Sequence, residues 1–136
     1  MIKTWKAEET TVMNVALWIV AGVLAFLFAA VGLMKISKPK AELVAGNMPW
    51  AGDFSSGAVK AIGAVEVLGA IGLVLPAVLD IAVVLVPLAA TGLAVTMAGA
   101  AVVHARRKEN PAIGVNIVLL ALAVFVVWGR FGSHSF

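Results

Sequence analysis

The 136-residue chain contains no cysteine. It can form no disulfide, no zinc–thiolate site and no thiol relay of its own. Any redox chemistry must therefore come from a bound cofactor or a partner. Charge is scarce as well: charged residues make up 12% of the chain, against about 25% in an average soluble domain. Apolar residues reach 62%, where roughly 45–50% is usual, so too few charges are present to cover the apolar surface in water. Lipid is the consistent solvent. The net charge of +3 is small and its basic residues sit beside apolar runs, which argues against a nucleic-acid partner. No two of Asp, Glu and His fall at ligand spacing within an apolar run, so no metal centre is expected. At this length the chain is one domain at most, 1–136.

What is present is a set of long apolar runs. The first, 12–34, carries no charge and one amide, Asn14. At about 1.5 Å per residue it reaches roughly 35 Å, enough to span a bilayer with some tilt. A signal peptide is the competing reading, but the run exceeds the roughly 7–15 apolar residues of such a segment. The polar residues before it are short, with Trp5 placed to sit at the interface. The connection 36–56 is the longest. A short helix is expected over 39–45 with Pro39 in its first turn, ended by Gly46-Asn47, and Pro49-Trp50 then turns the chain back. Trp50 and Phe54 are expected to anchor this segment at the lipid surface, either as a plain loop or as a lid over the mouth of a bundle.

Three further spans follow. The second is placed at 57–75, with Ser56 as an N-cap type and Pro76 ending it. The third is placed at 81–104, with Asp80 as its N-cap and an internal Pro87 expected to kink it. Thr91 and Thr96 are expected to return hydrogen bonds to carbonyls. The fourth is placed at 111–129 after the cap signal Asn110-Pro111, and the tail beyond Arg130 is expected to fray, with His134 chemically idle. The fold class is thus all-α, an antiparallel bundle of four transmembrane helices.

Within the second span stands one carboxylate, Glu66. An ionisable group inside a membrane segment is costly and marks a functional site by default. Lys60 can snorkel to the headgroups, whereas Glu66 lies six residues on, about 9 Å deeper. Gly63, Ala70 and Leu73 share its face, and small residues there let another helix approach. Glu66 should therefore face inward. Lys35 ends the first span, Lys60 opens the second, His104 ends the third and Asn116 lies early in the fourth. All four fall in the same half of the membrane, above Glu66, and Met97 shares the face of His104. One polar group from each helix converging in a bundle is how intramembrane sites are built. The bland readings are that Lys35, Lys60 and His104 mark the interface and that Asn116 bridges helices. Haem is not expected: His134 lies at the wrong depth, and Met97 and His104 share one helix face.

Four spans put both termini on one side, with Lys3, Lys6 and Arg130. Lys35, Lys38, Lys40, Lys60, Arg106, Arg107 and Lys108 lie on the other. The positive-inside rule then makes the loops at 35–60 and 104–111 cytoplasmic and the termini external.

These residues also carry a family resemblance. Gly32-Leu33-Met34-Lys35, Pro49-Trp50, Gly63-Ala64-Val65-Glu66-Val67-Leu68-Gly69, Gly72-Leu73-Val74-Leu75-Pro76, Met97-Ala98-Gly99-Ala100, His104 and Asn116 together resemble the DoxX-like family of small four-helix membrane proteins. The likeness covers residues 25–130 and rests on the ordered set. It implies a four-helix bundle, a bacterial cytoplasmic-membrane location and an association with redox work. Some relatives are subunits of a thiosulfate:quinone oxidoreductase, and others assemble with soluble thiol or superoxide enzymes.

Three functions fit. In the first, the bundle binds a quinone-like or other lipophilic molecule. Lys35, Trp50, Lys60, Glu66, Met97, His104 and Asn116 form the site, and Glu66 and His104 handle protons; His suits that task near neutral pH. In the second, the protein catalyses nothing and serves as an anchor or assembly factor for a soluble redox enzyme or membrane complex, or for a homo-oligomer. The third is a small proton-coupled transporter of the multidrug-resistance kind, but its carboxylate belongs in the first helix and its third helix has an aromatic lining, both missing here.

Overall fold

A computed structural model describes residues 2–132 and 134–136, with side chains from Glu8 onward. The side chains of Lys3, Trp5 and Lys6, which carry the expected interface anchor and part of the charge count, lie outside the described residues. The architecture is all-α. Four long helices, α1 (Ile2–Ser37), α3 (Ser56–Leu79), α4 (Leu85–Arg106) and α5 (Asn110–Phe131), form a bundle. A short helix α2 (Lys40–Ala45) and a 3₁₀ turn (Pro49–Asp53) join α1 to α3. Around the bundle α1 packs on α3, α3 on α4 and α4 on α5, and α5 closes the ring on α1 over the smallest contact of the four.

Each long helix is apolar and long enough to cross a membrane, and only 22–28% of its 18-residue apolar stretch is buried inside the bundle. The remaining faces expose residues such as Ile19, Phe26, Leu68, Val95 and Val118. Hydrocarbon is the solvent that accepts them, and the chain is a multi-pass membrane protein.

Several boundaries differ from the pattern-based ones. α1 starts at Ile2, ten residues before the apolar run. Residues 2–12 contain no Gly or Pro and several good helix formers, so hydropathy marks where the helix meets lipid and not where it begins. Pro39 is the N-cap of α2, and Ser55, not Ser56, caps α3, its Oγ accepting from the Ala58 amide at 3.1 Å. Pro76 does not end α3, which runs on to Leu79. It sits in the last turn, where the missing donor breaks the ladder only once. Asp80 caps α3 and not α4. It takes a left-handed conformation (φ 53°), with the amide of Asp80 donating to Ala77 O at 3.3 Å and that of Ile81 to Pro76 O at 3.0 Å. This is a Schellman closure, which Asp tolerates better than most residues. Pro87 is then the third residue of α4, where its missing N–H has no helical partner to lose, so the expected kink has no cause. Thr91 and Thr96 do bond back to Pro87 O and Gly92 O, both at 2.8 Å.

The core lies toward the end of the bundle that holds the termini. Leu24, Phe28, Leu73, Leu93, Met97 and Val126 interlock there with alanines from α3, α4 and α5. α1 and α3 approach most closely at Gly32 and Gly63: a Cβ on either would stand 2.7 Å from the other's carbonyl oxygen. A second cluster, Leu43, Met48, Ala51 and Val59, fixes the α2–3₁₀ segment to the bundle. Trp50 and Phe54 pack against it, half-buried, with their rings edge to face with each other at 5.8 Å. The described residues of the tail lie against the end of α5. The His134 amide donates to Gly129 O at 3.1 Å, and the Phe136 ring lies 4.0 Å from the Arg130 guanidinium.

Candidate functional site

Glu66 faces inward. Gly63, Ala70 and Leu73, on the same stripe of α3, are buried with it, and its own exposure is 1%. The close Gly32–Gly63 contact brings the last turn of α1 alongside, and Lys35 Nζ donates to Glu66 Oε1 at 2.5 Å. Lys35 is 7% exposed, so both charges are removed from solvent and each answers the other. Its ammonium also lies 5.1 Å from the centroid of Trp50, a cation–π distance. Trp50 stands edge to face with His104 at 6.4 Å.

The segment between α1 and α3, whose Met48, Trp50 and Phe54 wall the loop end of the bundle like a lid, is tied down from the other side. At the end of α4 the left-handed Lys108 (φ 57°) closes a second Schellman turn, the Glu109 amide donating to His104 O at 2.9 Å. That turn folds the Glu109 carboxylate back to 3.0 Å from His104 Nδ1. Arg107 Nε donates to the same oxygen at 3.1 Å, and Arg107 Nη1 reaches Asp53 Oδ2 on the 3₁₀ turn at 2.6 Å. The hydrogen bond and charge of Asp53, with Glu109 behind it, raise the Arg107 pKa above its ordinary value.

Lys35, Glu66, Trp50 and His104 border a cavity of about 730 Å³, within the size range of small-molecule sites. Its apolar wall includes Phe28, Val31, Ile62 and Leu119, and Lys35, Trp50, Glu66, Met97, His104 and Asn116 all line it. Lys60 does not join them. Val59, its neighbour, is turned inward, so Lys60, about 100° further round the helix, is exposed. Asn116 is 8% exposed, and its Nδ2 has no hydrogen-bond partner. Buried amides are nearly always bonded, so this donor is available to something in the cavity.

The cavity wall reaches the outer surface of the bundle between α1 and α5. At the terminal end the α1–α5 seam is shut by Leu17 over Gly129 and by the Arg130–Asn14 hydrogen bond. Toward the loops Leu27 of α1 and Val115 of α5 both line the cavity and are exposed on the outer surface. Asp53, Arg107 and Glu109 were not singled out from sequence. Arg107 and Asp53 are 54 positions apart, and His104 and Glu109 meet across a helix end, where no helical spacing applies. Thr96, also missed, lines the cavity but spends its hydroxyl on Gly92 O.

No curated protein and no solved structure matches the chain. The sequence model of the DoxX-like family matches residues 19–126, a stretch that takes in α1 from its midpoint, the lid, and every residue lining the cavity. The chain belongs to the DoxX-like family.

Proposed function

We propose that the cavity binds a lipophilic molecule with a quinone-like polar head, taken up from the bilayer. The observation that carries this is the unpartnered Asn116 amide, buried in an apolar-walled cavity beside the Lys35–Glu66 pair. An apolar pocket with a few convergent polar groups is the usual form of a small-molecule site. Asn116 donates to a carbonyl of the head, and the Lys35 ammonium offers a second donor. Trp50 and Met97 flank the ring, and an isoprenoid or acyl tail leaves between α1 and α5. A quinone supplies reversible uptake of two electrons and two protons. Glu66 and His104 hold and pass protons at the cavity wall, His104 through its Nδ1 contact with Glu109 to the loop surface. The chain has no redox group of its own, so electrons come from a soluble enzyme or a membrane complex docked on it. The location in this reading is the bacterial cytoplasmic membrane, as a single transmembrane domain with the lid and the α4–α5 loop cytoplasmic and the termini outside.

A second reading is a non-catalytic anchor or assembly factor, alone or as a homo-oligomer. The Lys35–Glu66 pair and the Gly32–Gly63 contact favour it, since both join α1 to α3 without needing a ligand. Gentle extraction followed by mass spectrometry separates the two. A stoichiometric quinone or similar lipid supports the binding site; a co-purifying protein with an empty cavity supports the anchor.

A further inference from the structure

His104 stands in the last turn of α4, where its ring lines the large cavity. Its Nδ1 lies 3.0 Å from Glu109 Oε1. The same oxygen accepts from Arg107 Nε at 3.1 Å, and Arg107 is held in turn by Asp53 at 2.6 Å. A carboxylate at neutral pH is an acceptor only, so Nδ1 must carry a proton to make this contact. In a neutral imidazole only one nitrogen is protonated, and the partner of one decides the state of the other. Nε2 is left with a lone pair.

Nε2 makes no hydrogen bond to any described residue. The buried side-chain polar atoms without a partner, among the described residues, are Asn116 Nδ2 and His134 Nδ1. Nε2 is not one of them and is therefore open to a small molecule. The Trp50 ring packs edge to face on the imidazole at 6.4 Å, which holds it from the lid side as well. Lys35 and Glu66 already answer each other at 2.5 Å. The cavity wall thus carries two unsatisfied groups of opposite kind, a donor on Asn116 and an acceptor on His104. The oxygens of an oxidised quinone carry no proton, so they satisfy Asn116 and set a lone pair against Nε2. A hydroxyl both accepts and donates, so a hydroxyl-bearing head satisfies both sides.

We propose that Glu109 is a positioning residue that fixes His104 with Nε2 as an acceptor, and that the cavity consequently prefers a head bearing a hydroxyl, such as a hydroquinone, to the corresponding quinone. The role of Glu109 rests on the His104–Glu109–Arg107 geometry alone. The hydroxyl preference rests also on the proposed lipophilic ligand.

Nuclear magnetic resonance of the full chain with 15N-labelled histidine, in detergent at about pH 8, above the usual histidine range, reads the tautomer without any ligand. His134→Gln removes the signals of the other histidine. The expected state of His104 is protonated Nδ1 and bare Nε2. Glu109→Ala removes the acceptor and should make Nε2–H the main form, whereas Glu109→Gln keeps an acceptor oxygen and should retain the wild-type tautomer. Anaerobic titration then compares a short-chain hydroquinone with its benzoquinone. The wild-type chain should bind the hydroquinone about fivefold more tightly, the scale of one hydrogen bond, and Glu109→Ala should lose that preference. An Nε2–H or doubly protonated His104 in the wild-type chain, or a tautomer indifferent to Glu109→Ala, overturns the proposal. Equal or inverted affinities alongside the expected tautomer overturn the hydroxyl preference. If neither molecule binds while the tautomer is as expected, the lipophilic-ligand reading falls and the preference with it.

Discussion

Lys35 and Glu66 meet at 2.5 Å across the α1–α3 contact, each enclosed by the bundle. Neither charge would be tolerable there alone, and removing one partner strands the other. Glu66→Gln or Lys35→Met should each lower stability by about 3–5 kcal/mol. The double substitution Lys35→Met with Glu66→Gln removes both charges and should recover most of that loss. Thermal unfolding of the three variants in one detergent gives the comparison. Equal losses for the double and the sum of the singles would mean that the pair is not coupled.

Asn116 makes the opposite prediction. Its amide is buried without a partner, so Asn116→Leu relieves a desolvated donor while keeping the volume. The variant should be as stable as the parent or more so, by up to about 1 kcal/mol. A structural bridge would instead weaken on substitution, which unfolding in detergent detects.

The lid latch is exposed and should contribute little to global stability. Asp53→Asn is expected to cost less than about 1 kcal/mol yet to speed hydrogen exchange in the 3₁₀ turn Pro49–Asp53. Because the Arg107 pKa is raised in the folded chain, its contribution is complete below the ordinary arginine value and is lost only as the pH rises through the higher folded one, far above the physiological range. Raising the pH from neutral to mildly alkaline should therefore leave the latch closed, whereas high salt should open it. Exchange rates in the turn that climb with alkaline pH beyond the intrinsic rate would contradict this.

At Gly32 and Gly63 the backbones touch. Gly63→Ala puts a methyl 2.7 Å from Gly32 O and from Lys35 Cβ, and should cost about 1–3 kcal/mol or more while disturbing the ion pair. Gly22→Ala, with nothing within 4 Å, should be neutral or stabilising through helix propensity. Similar stability for the two variants would rule out a close contact at Gly63.

Much of this arrangement was legible before the structure. The spans followed from apolar runs, and the inward face of Glu66 followed from Gly63, Ala70 and Leu73 at helical spacing. Helix ends were less accessible. Asp80 and Pro87 read equally well as the start and middle of a helix, and only the left-handed turn at Asp80 decides that both belong elsewhere. Lys60 was grouped with the site by depth alone, and depth says nothing about azimuth: one residue from buried Val59, it points away. The latch residues escaped because Asp53 and Arg107 are brought together by the lid's path over the bundle. The contacts of Arg130 escaped because a short polar tail gives no spacing signal, whereas His134 O and the Phe136 ring both meet its guanidinium.

Equilibrium binding of a short-chain benzoquinone to the detergent-purified chain, compared between wild type and Asn116→Leu, is the direct test of the larger cavity. The account predicts saturable binding of one molecule per chain, weakened about tenfold or more by the substitution. No saturable binding, or equal affinity in the two proteins, would contradict it.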